Sequence, residues 1–100
     1  MADIDGRWAI EVATLVGSRR FDLTLTTVGT SLTGTAVGPT GLIPIRSGTA
    51  AGDRVEFVLD LVAPLPTSLV FALQVRGDRL TGTAQAGLFP PSNVLGTRTG

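Results

Sequence analysis

Four residue types with reactive side chains are missing from this chain of 100 residues: histidine, cysteine, lysine and tyrosine. Without cysteine there is no disulfide, no thiol nucleophile and no thiolate metal site, and without lysine there is no Schiff base. Without histidine there is no Ser-His-Asp relay and no usual zinc site. Acid or base chemistry is left to the eight carboxylates, and the sequence implies no cofactor and no metal.

Charge is scarce and balanced, with eight arginines against eight carboxylates. The arginines are scattered along the chain, so the sequence lacks the basic patch that nucleic-acid binding needs. Asp53 and Asp78 follow glycines in turns, where an aspartate bonds to the backbone. Glu56 and Asp60 share an outward strand face with Arg54. No pair of carboxylates is spaced to divide acid and base roles, which leaves a glycosidase-type mechanism without support.

Long apolar runs are also missing. No stretch reaches the length of a membrane-spanning helix, and charges on the outward strand faces argue against a barrel embedded in lipid. The first residues have neither the basic start nor the apolar run of a signal peptide. We therefore expect a cytoplasmic protein without membrane insertion or a nucleic-acid partner, unless a leader has been removed from an exported chain.

A repeated stretch organises what is present. Leu32-Thr33-Gly34-Thr35-Ala36 recurs 48 positions later as Leu80-Thr81-Gly82-Thr83-Ala84. The match continues upstream at the same offset, with Phe21, Leu23, Leu25 and Gly29 falling on Leu69, Phe71, Leu73 and Gly77. Self-similarity at this period indicates two related hairpin units, neither of which buries its apolar face alone. We expect the two halves to close on one another.

Apolar and polar residues alternate with period two through most of the chain, between turns that contain glycine or proline. The pattern predicts about eight short strands and no helix, in one domain of residues 1–100. The strand from Leu42 to Ala50 contains Pro44, which cannot donate to a ladder and should lie at a bulge or a locally unpaired position. The predicted fold is all-β, an antiparallel up-and-down meander closed into a small barrel. A seven-stranded or flattened barrel or sandwich is the alternative.

The two ends of such a barrel differ in chemistry, because successive connections alternate between them. One end, which we call the floor, has three tight polar turns: Gly29-Thr30, Gly52-Asp53 and Gly77-Asp78. The other end, the mouth, has longer loops that carry five of the six prolines together with Leu65, Leu88 and Phe89. Apolar loops around a barrel opening are where a ligand would enter. The alternative is that Leu88 and Phe89 fold over the opening as a lid and bind nothing.

Candidate ligand contacts lie in the interior and at the mouth. Arg19 suits a carboxylate or an enolate. The small inward residues Gly34 and Gly82 either leave space inside the barrel or let the sheet coil sharply beside large side chains. The full candidate set is Thr14, Arg19, Phe21, Gly34, Leu61, Thr67, Gly82, Leu88, Phe89 and Asn93.

Gly6-Arg7-Trp8, at the head of the first strand, resembles the Gly-x-Trp signature of the calycin superfamily, the barrels that include lipocalins, fatty-acid-binding proteins and avidins. The Leu-Thr-Gly-Thr run is similar to the third strand of avidins. The resemblance implies that Trp8 packs at the barrel floor and that an arginine near the last strand, here Arg98, lies over its ring. Avidin's tryptophan-lined biotin site is absent, because Trp8 is the only tryptophan.

Three functions fit this pattern. The first is binding of a small apolar molecule in the mouth of a calycin-like barrel. The second is a cofactor-independent cyclase or isomerase for polyketide- or terpenoid-like substrates, which would act by shaping and desolvating the substrate. The third is an oligomeric interaction module with a filled barrel. Apolar residues on the outward faces also predict a homodimer; they are Val28, Val37, Val58, Val62, Val70 and Ala72.

Overall fold

A computed structural model of the chain describes residues 4–14, 17–38, 41–61, 67–87 and 89–100. All regular structure in these ranges is β-strand. The strands are β1 (Gly6–Thr14), β2 (Gly17–Val28), β3 (Ser31–Gly38), β4 (Gly41–Pro44), β5 (Arg46–Ala51), β6 (Arg54–Leu61), β7 (Thr67–Arg76), β8 (Arg79–Ala86) and β9 (Ser92–Arg98).

Eight of these strands close into an antiparallel ring, which confirms the predicted barrel. From β5 to β9 each strand pairs with the next, β9 pairs with β1, and β1, β2 and β3 continue the ring until β3 meets β5. Within the described part of the chain, β4 pairs with β3 alone and lies outside the ring. Closure gives the apolar faces of all the ring strands one common interior.

The interior is built from the inward residues of each alternating strand. No polar or charged side chain of the described residues is buried there. Phe57 on β6 and Phe71 on β7 are directly paired and stack with their ring centroids 4.8 Å apart, a geometry worth about 1 kcal/mol beyond the area it buries. The largest fully buried side chains are Trp8, Phe57, Phe71, Ile10, Leu23, Leu25, Leu59, Leu80, Val55 and Val94.

The internal repeat corresponds to two hairpins with the same register. The β2–β3 hairpin pairs Leu25 with Gly34, and the β7–β8 hairpin pairs Leu73 with Gly82, each 48 positions further on. β3 and β8 also share one order of buried and exposed positions along their length. The two hairpins lie on opposite sides of the ring, separated by β1 and β9 on one side and by β5 and β6 on the other.

Gly34 and Gly82 lie where neighbouring strands come closest. A Cβ atom on Gly34 would be 1.9 Å from the carbonyl oxygen of Thr24, and one on Gly82 would be 2.0 Å from the carbonyl oxygen of Ala72. Both oxygens belong to the backbone of the paired strand and cannot rotate away. This geometry supports the second of the two roles that the sequence left open for these glycines, which is to let the sheet coil.

The strand expected from Leu42 to Ala50 is divided into β4 and β5 around Ile45. The backbone N–H of Ile45 donates to the carbonyl oxygen of Gly34 at 3.0 Å, so the chain still follows β3 across the division. Hydrogen-bonded pairs alternate along an antiparallel ladder. The imide nitrogen of Pro44 therefore faces away from β3, where the lack of an N–H breaks no ladder bond.

A bulge in β5 directly follows the proline. The register between β5 and β6 shifts between Arg46 and Thr49, and Ser47 within this shift has a φ of +54°. A Cβ atom on Gly48 would be 2.1 Å from the carbonyl oxygen of Leu32. A bulge bends its strand and increases the local twist. β5 therefore pairs with β6 on both sides of the bulge, at Arg46 before it and from Thr49 to Ala51 after it, while β4 lies outside the ring.

Replacing Gly82 by alanine should destabilise the barrel by roughly 2 to 4 kcal/mol, because a backbone carbonyl must shift to admit the methyl group. The free energy of unfolding in urea measures the effect. The control is Gly77→Asn at a floor turn, where φ is +59° and the space around the Cβ position is open; asparagine tolerates that conformation. A Gly82→Ala variant as stable as the control would contradict the coiling role.

Candidate functional site

The floor of the barrel is closed over Trp8. The indole is fully buried, and its Nε1 donates to the carbonyl oxygen of Ile4 at 3.0 Å. Ile4 is itself buried and belongs to the same apolar cluster. Ile4 therefore covers the end of the barrel, and the indole N–H keeps a partner inside the apolar core.

Arg98 lies over the ring of Trp8 at the same end of the barrel. Its guanidinium carbon is 4.2 Å from the centroid of the Trp8 ring. The Arg98 Nη1 donates to the carbonyl oxygen of Asp5 at 2.8 Å, and its Nε is 3.1 Å from Oδ1 of Asp78. A guanidinium over an indole is worth about 0.5 to 2 kcal/mol. The cation also joins the residues before β1 to the β7–β8 turn.

The two Gly-Asp turns of the floor are held by side chains from other strands. Gln74 Nε2 donates to Oδ2 of Asp53 at 2.9 Å, and this hydrogen bond lowers the pKa of the Asp53 carboxyl. Asp78 bonds to Arg98 in the same manner. The sequence suggested that both aspartates bond to the backbone of their own turns; the structure adds these longer-range partners, which strengthen the closed end.

Some inward side chains at the mouth are less buried than those at the floor. Leu69 on β7 and Ala86 on β8 are paired and half-buried, whereas Val75 and Leu80 at the floor ends of the same strands are 3% and 0% exposed. Ile43 on β4 is half-buried as well. The barrel therefore has one sealed end and one end where apolar side chains remain accessible.

Arg19 and Thr67 face each other across this end. Arg19 is half-buried, lies two residues before Phe21 on the inward side of β2, and is paired with the buried Val12. Thr67 is half-buried at the start of β7, which lies opposite β2 in the ring, and pairs with Leu61. Among the described inward residues of the mouth, Arg19 carries the one charge.

Phe21 and Leu61 line the wall of the mouth. Both are nearly buried, at 3% and 7% exposure. A Cβ atom on Gly38 would be 2.7 Å from the Phe21 ring, so the ring occupies the space that Gly38 leaves. Phe21 therefore narrows the interior beside β3, and Leu61 does the same at the end of β6.

Two further candidates lie on the outside of the barrel. Phe89 is 71% exposed; its N–H donates to the carbonyl oxygen of Ala86 and its own carbonyl accepts from Gln85. Asn93 is exposed on the outward side of β9, next to the buried Val94. Its carboxamide therefore faces solvent instead of the interior. The side chain of Thr14 and the whole of Leu88 lie outside the described residues.

Sequence reasoning did not single out the half-buried apolar residues of the mouth. Alternation already places Leu69 on the inward side of β7, but it does not say which inward positions stay accessible. The neighbouring Pro44 interrupts the alternating pattern, so the pattern does not assign Ile43 to either face. Ala86 continues the inward row of Gly82 and Ala84, and that row is the signal by which it could have been found.

Exposed apolar side chains also concentrate near the mouth. Val37 on β3 and Leu42 on β4 are directly paired on the outward face and are 44% and 64% exposed. Val70 and Phe89 are exposed in the same half of the barrel. Val28, beside a floor turn, is exposed, and so is Ala72 on β7. Val58 is half-buried, and Val62 lies outside the described residues.

A hydrogen-bonded ion pair lies on the outer face of the barrel, between Arg46 on β5 and Asp60 on β6. Arg46 Nε and Nη2 donate to Oδ2 and Oδ1 of Asp60 at 2.7 and 2.9 Å, and the Ser68 hydroxyl donates to Oδ1 at 2.7 Å. These bonds, the one from Arg46 first, lower the pKa of Asp60 to about 2. The pair connects β5, β6 and β7 beside the bulge.

The described residues contain no group of three or more acidic, histidine or cysteine side chains that could hold a metal ion. They also form no helix both long and apolar enough to cross a membrane. No known protein family and no curated protein matches this sequence. The function must therefore be argued from the geometry of the barrel and the chemistry of its two ends.

Arg98→Ala should destabilise the protein by about 2 kcal/mol, because the cation–π contact and the bond to the Asp5 carbonyl are both lost. Trp8 is the only tryptophan, so its fluorescence during urea unfolding reports the floor directly. Arg54→Ala removes an exposed arginine from the floor end of β6 and should change stability by less than about 0.5 kcal/mol. Equal effects of the two variants would contradict a special role for Arg98.

The lowered pKa of Asp60 predicts an acid limb in the stability curve. A carboxyl whose pKa falls on folding stabilises the native state fully above its ordinary value of 3.8, and this contribution is lost as the pH falls towards 2. Urea midpoints measured from about pH 4 to about pH 2 should therefore fall less steeply for Asp60→Asn than for the unchanged protein. Glu56→Gln, which removes an exposed carboxylate of the same strand, is the control for the loss of one negative charge.

Proposed function

We propose that the protein binds a small apolar molecule with an acidic group at the mouth of the barrel, and that it is related to the calycin-type barrels. The observation that carries the proposal is the difference between the two ends. The inward residues of the floor are sealed beneath Trp8 and Arg98, whereas some of those at the mouth, Leu69 and Ala86 among them, stay half-buried.

The chemistry of the mouth supports an amphipathic ligand. Leu69, Ala86 and Ile43 offer apolar surface, so the hydrocarbon part of a ligand would gain about 25 cal/mol for each Å² removed from water. Arg19 offers a fork of donors that matches a carboxylate or an enolate. Ligand pockets commonly combine an apolar wall with a few such polar groups, which fix the orientation of the ligand.

The grouping with calycins is supported by the floor. Gly6 and Trp8 stand in the Gly-x-Trp spacing, and the guanidinium of Arg98 lies over the indole. A sealed floor with an aromatic–arginine pair leaves the opposite end as the entry for a ligand. Turnover by a cyclase would use the same mouth, and it can be tested on any ligand that binds.

A filled barrel that serves as an interaction module is the second candidate. It is favoured by the middle layers of the interior, where Phe57, Phe71 and Leu59 are at most 1% exposed. The close backbone contacts at Gly34 and Gly82 point in the same direction, since they remove the space that those glycines would otherwise leave. A binder then has room only near the mouth.

Binding is tested with straight-chain carboxylic acids of roughly six to fourteen carbons and the matching alcohols. We expect a saturable rise in Tm for several acids, as mass action requires of a ligand that binds only the folded state. Arg19→Gln should lower the affinity for the acids by roughly tenfold and leave the affinity for the alcohols unchanged, because only the charged headgroup loses its partner.

A blocking variant locates the site. Ala86→Phe adds a large side chain to the inward face of the mouth and should abolish binding while the protein stays folded. Thr83→Phe adds the same side chain to the outward face of the same strand and should leave binding intact. If no acid or alcohol raises the Tm of the unchanged protein, the binding proposal fails and the filled-barrel module takes its place.

A further inference from the structure

A shallow depression lies on the outside of the barrel wall. It has a volume of about 330 Å³ and crosses the outward face of β2, β1, β9 and β8. Ala9, Gly96 and Thr97 are the small residues at its centre, and Arg20 and Arg79 border it from the two outer strands. The face is concave at its middle although a barrel wall is convex.

An exposed leucine borders the same depression. Leu95 on β9 is 65% exposed and lies between Glu11 on β1 and Thr81 on β8 in the register of the sheet. Covering this side chain in an interface would remove apolar surface from water, which favours association.

The charges of this face form an ordered row across the four strands. Asp22 pairs with Ala9, Ala9 with Thr97, and Thr97 with Arg79. The row therefore reads acidic, small, small, basic from β2 to β8. Neither Asp22 nor Arg79 forms an ion pair with another residue of the described ranges.

Arg79 also has an unfavourable neighbour. It is directly paired with Arg76 on β7, and both side chains are exposed. Like charges opposite one another on a sheet are destabilising. An acidic group from another molecule would reduce the repulsion between Arg76 and Arg79. Asp22, at the opposite end of the same face, is such a group.

We propose that this face binds a second copy of the chain, about a twofold axis that runs along the strands between β1 and β9. Such an axis turns the row end for end. Asp22 of each copy then meets Arg79 of the other, and the small residues of the two rows face each other at the centre. In the neighbouring row, Leu95 of each copy lies against Glu11 of the other.

The remaining charges of the face are compatible with this arrangement. Glu11 is covered by Leu95 of the second copy but keeps Arg20 of its own copy as its cross-strand neighbour. Arg20, Glu11, Leu95 and Thr81 form the neighbouring row across the four strands. When this row is turned end for end, Arg20 of one copy lies against the hydroxyl of Thr81 of the other. Charge complementarity at the rim sets the orientation, and Ala9, Thr97 and Leu95 supply the buried area.

The test uses two charge reversals, Asp22→Arg and Arg79→Asp, with sedimentation velocity or native mass spectrometry as the readout. We expect a dimer of the unchanged protein at about 100 µM. Each single variant should dimerise at least roughly tenfold more weakly, because it faces its own copy with two like-charge contacts. A one-to-one mixture should restore the dimer as a heterodimer, because each variant then supplies the charge that the other lacks.

Two further variants complete the design. Glu56→Arg reverses a charge on the outward face of β6 and should leave the dimer unchanged. Leu42→Ser removes an exposed apolar side chain near the mouth and should also leave it unchanged. All four sites of change are exposed, so circular dichroism and Tm of every variant should match those of the unchanged protein.

Four outcomes overturn the proposal. A monomer at all accessible concentrations excludes the dimer. A dimer insensitive to both charge reversals lies on another face, and a dimer lost in Leu42→Ser uses the apolar surface near the mouth. Single variants that dissociate without recovery in the mixture exclude the twofold register that pairs Asp22 with Arg79. None of these outcomes depends on ligand binding at the mouth.

Discussion

Close approach of neighbouring backbones is the constraint on which this barrel depends. A chain of this length must curl its sheet tightly for eight strands to close, and the inner face then has no room for a Cβ atom at certain points. Gly34, Gly48 and Gly82 stand at three of these points, each with a carbonyl oxygen of an adjacent strand about 2 Å from the position of the missing atom. Large inward side chains on the neighbouring positions fill the interior that remains.

The repeated sequence satisfies this constraint twice. The β2–β3 and β7–β8 hairpins have the same register and the same order of burial, and they stand on opposite sides of the ring. The two halves differ at their junctions. Between β3 and β6 the chain uses a proline, a bulge at Ser47 and an ion pair from Arg46 to Asp60. Between β8 and β1 it uses an uninterrupted strand, β9, whose Arg98 reaches the indole of Trp8.

The two ends of the barrel acquire different roles from these junctions. At the floor, Trp8, Arg98 and the residues before β1 form one connected set of contacts that leaves the indole fully buried. At the mouth β4 lies outside the ring, and inward side chains such as Leu69 stay half-buried. The proposed ligand site and the proposed dimer face are consequences of two different surfaces. The first uses the inward side of β2, β7 and β8, and the second uses the outward side of β1 and β9.

The sequence by itself determined the strands, the barrel class and the relation between the halves. These follow from local physics, since side chains alternate with period two along a strand and a glycine or proline interrupts the ladder. It also predicted a bulge or an unpaired position at Pro44, whereas Pro44 pairs with Thr35 and the bulge lies between Arg46 and Thr49. It did not determine the role of Gly34 and Gly82, because an inward glycine gives the same sequence pattern whether it leaves open space or allows a close backbone contact. Tertiary structure decided that question, and it placed Asn93 on the outward side of β9 and Asp22 in one row with Arg79. Those relations depend on the register between strands that are distant in sequence, and register is set by closure of the whole ring.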